Sequence, residues 1–283
     1  MGSFMLLALC GPAFALSSSL LAPGMNLASI NGSSVYSTNW SGYAVTGSTG
    51  SVTSVSGSWT APALATNSGS ALAAFWVGID GYSSNTVEQT GTLIATTSAQ
   101  RTYGVPEYCA WYEFYPAGMV IISTSNAGTP ATVTPGDMMY ATVTYAGSNT
   151  FTATITDMTA GWTFTSPATT VSGAKESSAE WIAEAPSSSR GVLPLADFGK
   201  AYYGDYYTTV PSTCYATTTT SGGSQPISYF SSNVQTITMV YETFSRGHAT
   251  IVPKATPSGL SSDGTGFYVT WNSAGSSGLV FDR

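Results

Sequence analysis

Apolar and polar residues alternate over short runs broken by Gly, Ser, Asn or Pro, and this pattern predicts an all-β chain. Runs at 52–60, 73–79, 107–115, 138–145, 150–156, 179–185, 236–244 and 266–271 have the length and the β-branched or aromatic content of strands. Turn chemistry separates them, as in Pro135-Gly136-Asp137 and Ala146-Gly147-Ser148-Asn149. No stretch carries a helical apolar period. Many short strands at this spacing imply a sandwich or a barrel. The tract 217–224 is low in complexity and reads as an exposed loop. The Tyr-rich run 201–207 fits either a loop or an edge strand.

The ends of the chain read differently. Residues 4–16 resemble the apolar core of a secretory signal, with Ala13-Phe14-Ala15 in the small-x-small form of a cleavage site. The Lys or Arg expected before that core is absent. The alternative is a short buried N-terminal element. Residues 17–34 are polar and loop-like, as a leader or pro-segment remnant would be. The expected division is therefore a leader over 1–34, one β domain over 35–272 and a loose tail over 273–283. After residue 30 no run approaches the ~20 apolar residues of a spanning helix; a membrane β-barrel is not separable by pattern alone.

Charge narrows the picture. Only 7% of the 283 residues are charged, with seven Lys plus Arg, fourteen Asp plus Glu and one His. An ordinary domain carries roughly 25%. Acid unfolds proteins by protonating carboxylates that the native state needs ionised, and by leaving cations to repel. This chain has little of either to lose, so it reads as adapted to acid. A Ser/Thr-rich secreted surface protein is the plainer alternative. A net charge of −7 without a basic cluster excludes nucleic acid as a partner. Cys109 and Cys214 fit one disulfide in an exported chain, or two buried thiols.

Elimination then limits the chemistry. His248 is the single histidine and no G-x-S-x-G elbow accompanies it, so a Ser-His-Asp mechanism lacks its parts. Histidine-based zinc sites are excluded by count, and no Gly-rich phosphate loop is present. No cofactor and no metal are expected. What remains is carboxyl chemistry. Period-two alternation places Trp111, Glu113 and Tyr115 on one face of their strand. It also places Glu180, Ile182 and Glu184 together, opposite Trp181. A Glu among aromatics on a sheet face is desolvated and its pKa rises, which suits a general acid or base in acidic water. A buried Glu that merely hydrogen-bonds its neighbours is the equal alternative for Glu113.

Four strings occur in order: Phe75-Trp76-Val77-Gly78-Ile79-Asp80-Gly81, Val87-Glu88-Gln89-Thr90-Gly91, Ala110-Trp111-Tyr112-Glu113-Phe114-Tyr115-Pro116 and Ala179-Glu180-Trp181-Ile182-Ala183-Glu184. Weaker matches are Ser37-Thr38-Asn39-Trp40-Ser41-Gly42, Pro135-Gly136-Asp137, Asp197-Phe198-Gly199 and the run 263–271. Together, over about 36–272, they resemble the eqolisins, the acid-acting glutamic peptidases.

The resemblance implies two antiparallel sheets stacked as a lectin-like β-sandwich with a concave substrate cleft. It implies Gln89 and Glu184 as the catalytic pair, Glu180 being a nearby decoy. It places Trp76, Asp80, Trp111, Glu113, Tyr115 and Phe198 at the cleft. The expected protein is a secreted, monomeric endopeptidase acting on proteins or peptides in an acidic environment, with no membrane association after processing. Its Glu184 is expected to keep a pKa that is not raised far, so that an ionised fraction survives in acid. Ala185-Pro186 after Glu184, the absence of cysteines near Asp80 and the segment 202–229 depart from the fungal pattern. They suggest a divergent, prokaryotic-type member. Two rivals stand beside this reading: a glycoside hydrolase using Glu113 and Glu184, and a non-catalytic binding module. Asn31-Gly32-Ser33 and Asn39-Trp40-Ser41 are glycosylation sequons, the second unusable if Trp40 is buried.

Overall fold

The computed structural model describes residue 20 and residues 22–31, 34–65, 69–245 and 248–275. The export-like run 4–16 and most of the tail lie outside the described residues. The chain folds as two stacked β layers. In the front layer the strands run in the order Tyr108–Tyr115, Val87–Ala95, Leu72–Ile79, Ser178–Glu184, Trp40–Thr46 and Val234–Ser245, all antiparallel. Ser34–Ser37 adds to Val234–Ser245 in parallel and pairs in turn with Leu27–Asn31. The back layer is built on Trp162–Thr165, Thr150–Asp157, Met138–Tyr145 and Val52–Thr60, continued by Tyr215–Thr218 and by Lys200–Gly204 with Gly266–Trp271. His248–Pro257 pairs with strands of both layers and makes them continuous.

The back layer shows why alternation is legible. Met138–Tyr145 and Thr150–Asp157 bury every second residue, Met139, Ala141, Val143, Phe151, Ala153 and Ile155, and turn threonines outward. Those threonines pair across strands, as Thr154 with Thr165 and Thr156 with Thr163. The inward residues meet Phe75, Val77 and Trp181 of the front layer in one core. Side-chain hydrogen bonds tie the layers: Trp181 Nε1 donates to Ser56 O (2.8 Å), Trp59 Nε1 to Thr92 Oγ1 (2.9 Å) and the Tyr203 hydroxyl to Ile182 O (2.8 Å).

The central front strands differ, because Leu72–Ile79, Val87–Ala95 and Ser178–Glu184 are buried along their whole length. One face meets the back layer. The other carries a second apolar cluster, in which Trp40, Trp76, Trp111, Leu93 and Ile182 lie under Leu20, Ala22, Ala99, Met119 and Leu193. Crowding on this face fixes the small residues. At Gly91 a Cβ would meet Phe75 O and the Cβ and Cα of Trp76, so only glycine lets the neighbouring strand lie that close.

Several expectations are corrected. A seven-residue helix, Thr97–Tyr103, follows the Val87–Ala95 strand, capped by Thr96 and closed by Gly104. It buries only Ala99 and so leaves no apolar period. The loop expected over 17–34 contains the strand Leu27–Asn31. The 201–207 run splits into the strand Lys200–Gly204 and the short helix Asp205–Thr208. The loop expected over 217–224 is the turn of a hairpin between Tyr215–Thr218 and Ser224–Pro226. The tail is tied at its start, where Leu195 N donates to Ala274 O. Cys109 and Cys214 are free thiols in different clusters, Cys109 under the indoles and Cys214 in the inter-layer core, so the disulfide alternative falls.

Candidate active site

Strand register brings the candidate residues onto the outer face of the front layer. Gln89 lies opposite Gly78 on one side and Glu113 on the other. Glu184 lies opposite Ala74 and Trp40. Because side chains alternate, Trp40, Trp76, Gln89, Trp111, Glu113, Ile182 and Glu184 share one face. The period-two placement of Glu113 beside Trp111, and of Glu184 opposite Trp181, therefore holds. Gly78 leaves the room Gln89 occupies, since a Cβ there would lie 3.1 Å from Gln89 Cβ.

Gln89 Nε2 donates to Glu113 Oε2 (2.9 Å) and to the backbone carbonyl of Ala22 (2.6 Å). Ala22 N donates back to Glu113 Oε2 (3.1 Å). Glu184 accepts from Trp76 Nε1 (2.8 Å) and Asn39 Nδ2 (3.1 Å), one bond to each carboxyl oxygen. Gln89, Glu113 and Glu184 are all fully buried. Burial pushes the Glu184 carboxyl well above its ordinary range, and the nearby Glu113 adds to this. The donors on Trp76, Asn39 and Trp40 oppose it without reversing it. Glu113 is likewise raised by burial, against the bonds from Ala22 and Gln89. The expectation of a scarcely shifted Glu184 is thus corrected, because its carboxyl is fully buried.

The remaining predicted residues separate. Trp111 is buried on the same face, opposite Gly91. Tyr115 lines an open groove of about 380 Å³ with Pro23, Met25 and Ser84. Asp80 stands apart from Gln89 and Glu184: its carboxylate accepts from the backbone N–H groups of Lys175, Glu176 and Ser177 at 2.6–2.9 Å. It anchors that loop from a left-handed backbone position, φ 71°. Phe198 is on the opposite side of the sheet, edge-on to Phe75 at 5.0 Å in the inter-layer core. Glu180 faces Asp80 and Glu88, and burial raises it strongly. His248 is exposed at the start of its strand.

Two residues beyond the sequence-based set belong to the site. Asn39 and Trp40 sit side by side at the head of a strand, both buried, Asn39 holding Glu184 and Trp40 edge-on to Trp76 at 4.9 Å. Asn39 is oriented in turn by Ser37, whose hydroxyl donates to Asn39 Oδ1 (2.9 Å). The signal was present in the Asn39-Trp40-Ser41 string, which equally reads as a sequon; a fully buried asparagine carries no glycan.

These features define a class: a two-layer β-sandwich whose outer face buries an amide and two carboxyls under indoles, against a peptide carbonyl. The sequence model of the Peptidase A4 family matches residues 38–251, and the chain belongs to that family. Aspergillopepsin-2 of Aspergillus niger is 31% identical over 193 residues, which cover 59% of this chain and 63% of that protein. The chain thus spans under two thirds of that relative's length. Scytalido-glutamic peptidase, solved with a transition state analog inhibitor, superposes with a TM-score of 0.59 at 23% identity, covering 83% of this chain and 98% of that one. Aspergilloglutamic peptidase from Aspergillus niger gives 0.52 at 25% identity, covering 71% and 99%. These structures share the sandwich.

Proposed function

We propose that the chain is an acid-acting endopeptidase in which Glu184 and Gln89 form the catalytic pair. The observation that carries this reading is the 2.6 Å bond from the Gln89 amide to a peptide carbonyl, on the face that also holds Glu184. An amide donating to a ground-state carbonyl is placed to donate to the oxyanion that forms there, and one such donor is worth about 3–4 kcal/mol at the transition state. Glu184, when ionised, takes a proton from a water attacking that carbonyl and then returns it to the leaving nitrogen. No nucleophilic side chain is needed. Trp76 and Asn39 hold the carboxyl in place and favour its ionised form by donating to it.

Family membership removes the support for the rival glycoside hydrolase and binding-module readings. Secretion into an acidic medium, with protein or peptide substrates, belongs to the same proposal. Purified Gln89→Ala and Glu184→Gln proteins, assayed on a denatured protein substrate in acid, are expected to lose about a hundred-fold or more in kcat. Their circular dichroism should stay native. Wild-type turnover in either would end the assignment.

A further inference from the structure

We propose that Lys254 is a positioning residue of the active site: its ammonium holds the Thr38 carbonyl, and through that peptide it sets Asn39 and the Glu184 carboxyl that Asn39 grips. The reading rests on Glu184 being catalytic.

The fold aims this side chain. In the pairing of Val234–Ser245 with His248–Pro257, Met239 lies opposite Ala255 and Val240 opposite Pro253, so Lys254 is the extra residue of a β-bulge. Bulges recur beside active sites because the unpaired residue points where a regular ladder would not send it. The run 272–275 then closes over the lysine. Asn272 N and Ser273 N donate to Lys254 O (2.8 and 3.1 Å), and the Ser273 hydroxyl donates to Pro253 O (3.0 Å). Gly275 lies against the aliphatic stem, where a Cβ would come within 2.9 Å of Lys254 Cε. The residue is thus enclosed, at 4% exposure, and its Nζ donates to Thr38 O (3.4 Å).

That carbonyl belongs to the peptide group that enters Asn39. The other end of the group, Asn39 N, donates to Ser37 Oγ (3.3 Å), so the peptide plane is fixed from both sides. Beyond it, Asn39 O accepts from Ala185 N (2.8 Å), next to Glu184, and Asn39 Nδ2 donates to Glu184 Oε1 (3.1 Å). A turn of the Thr38–Asn39 peptide would therefore shift Asn39 against both the backbone and the carboxyl of the Glu184 strand. Lysine is a poor residue for merely filling this space, since it is almost never fully buried unless paired. Burial pushes the Lys254 amine down to about 8, with no carboxylate among the described residues offsetting it. In acid the ammonium is charged all the same. Methionine would fill the space with a similar flexible stem and no buried charge. A buried cation that opposes stability in acid is accounted for by the carbonyl it holds.

The test uses the full chain with Lys254→Met, Asn39→Leu and the two combined, assayed on a denatured protein in acid. Lys254→Met is expected to lose about ten-fold or more in kcat with KM unchanged, as misplacing a catalytic group does. It should melt in acid no lower than wild type. The combined variant should lose no more than Asn39→Leu alone, because the lysine acts through Asn39. Heteronuclear NMR of the Asn39 side-chain amide gives a readout independent of turnover. Its protons should exchange slowly in wild type and about ten-fold faster or more in Lys254→Met. Where turnover depends on Glu184, a Lys254→Met protein with wild-type kcat overturns the proposal. So does one that melts well below wild type in acid, since Lys254 would then be structural, and so do additive losses in the combined variant. A loosened amide in a protein whose turnover survives Glu184→Gln would keep the hold of Lys254 on Asn39 and remove the catalytic assignment.

Discussion

Asn39 holds the Glu184 carboxyl. Its amide donates to one carboxyl oxygen, while its own oxygen is held by the Ser37 hydroxyl and Asn26 N. A donor to the charged form lowers a carboxyl pKa, so this bond works against the rise imposed by burial. Asn39→Leu keeps the volume and removes the donor. The carboxyl then ionises only at higher pH, and the acidic limb of the kcat profile moves upward. The same change strands Asn26 N and the Ser37 hydroxyl, at about 1–3 kcal/mol. A pH–rate profile recorded beside a denaturant titration separates the two effects. An unmoved acidic limb would show that Asn39 is structural alone. Trp76 is the second donor, and its indole lies against Gly78, where a Cβ would come within 2.9 Å of the ring.

At the scale of elements, the site is made by which strands are neighbours and which face each residue takes. Gln89, Glu113 and Glu184 come from three strands, and the Leu72–Ile79 strand separates the first from the last. Local sequence showed the alternation in 107–115 and 179–185, and the structure keeps both. It did not distinguish Phe198, which follows an Asp in a loop and carries no period of its own. Packed edge-on against Phe75, it belongs to the core. Phe198→Ala is therefore expected to lower stability by about 3–5 kcal/mol and to leave KM unchanged, as steady-state kinetics and urea unfolding at acid pH would show. A raised KM in a protein of normal stability would return Phe198 to the cleft. The helix Thr97–Tyr103 and the strand Leu27–Asn31 escaped notice for a related reason. The helix buries only Ala99, and the strand is five residues long and pairs with the neighbouring Ser34–Ser37, so neither leaves a periodic apolar signature.

For the whole molecule, pH acts through carboxyls that folding has buried. Glu88 is pushed up to about 9 by burial, with Asp80 adding to the shift. The unfolded chain releases that proton near the ordinary value of 4.5. Between these limits the folded state binds more protons, so stability is full below about pH 4.5 and falls as pH rises toward 9. Each such group contributes a slope of about 1.4 kcal/mol per pH unit while it is protonated only in the folded state. Glu113, Glu180 and Glu184 are raised in the same direction. Melting temperatures should accordingly be highest in acid and drop through neutrality. Glu88→Gln, which cannot ionise, should narrow the difference between pH 4.5 and pH 7. A protein that melts higher at pH 7 than at pH 4.5 would contradict this account. With seven Lys plus Arg in the chain, little cationic repulsion opposes the acid state.

Composition and two-residue periodicity are properties of neighbours along the chain, and these determined the all-β class, the acid-facing charge balance and the strand faces of Glu113 and Glu184. The ordered strings around Gln89 and Glu184 marked the family for the same reason, since each lies within one strand. Tertiary structure alone decided that Asp80 anchors a loop, that Phe198 fills the core and that the two cysteines stay apart. It alone brought Asn39 to Glu184 across 145 positions of sequence, and Ala22 to Gln89 across 67. Such contacts depend on strand order and on which segment covers the outer face. Neither quantity is encoded in any local window, because the apolar surface of one sheet can be buried equally well by many parts of the same chain.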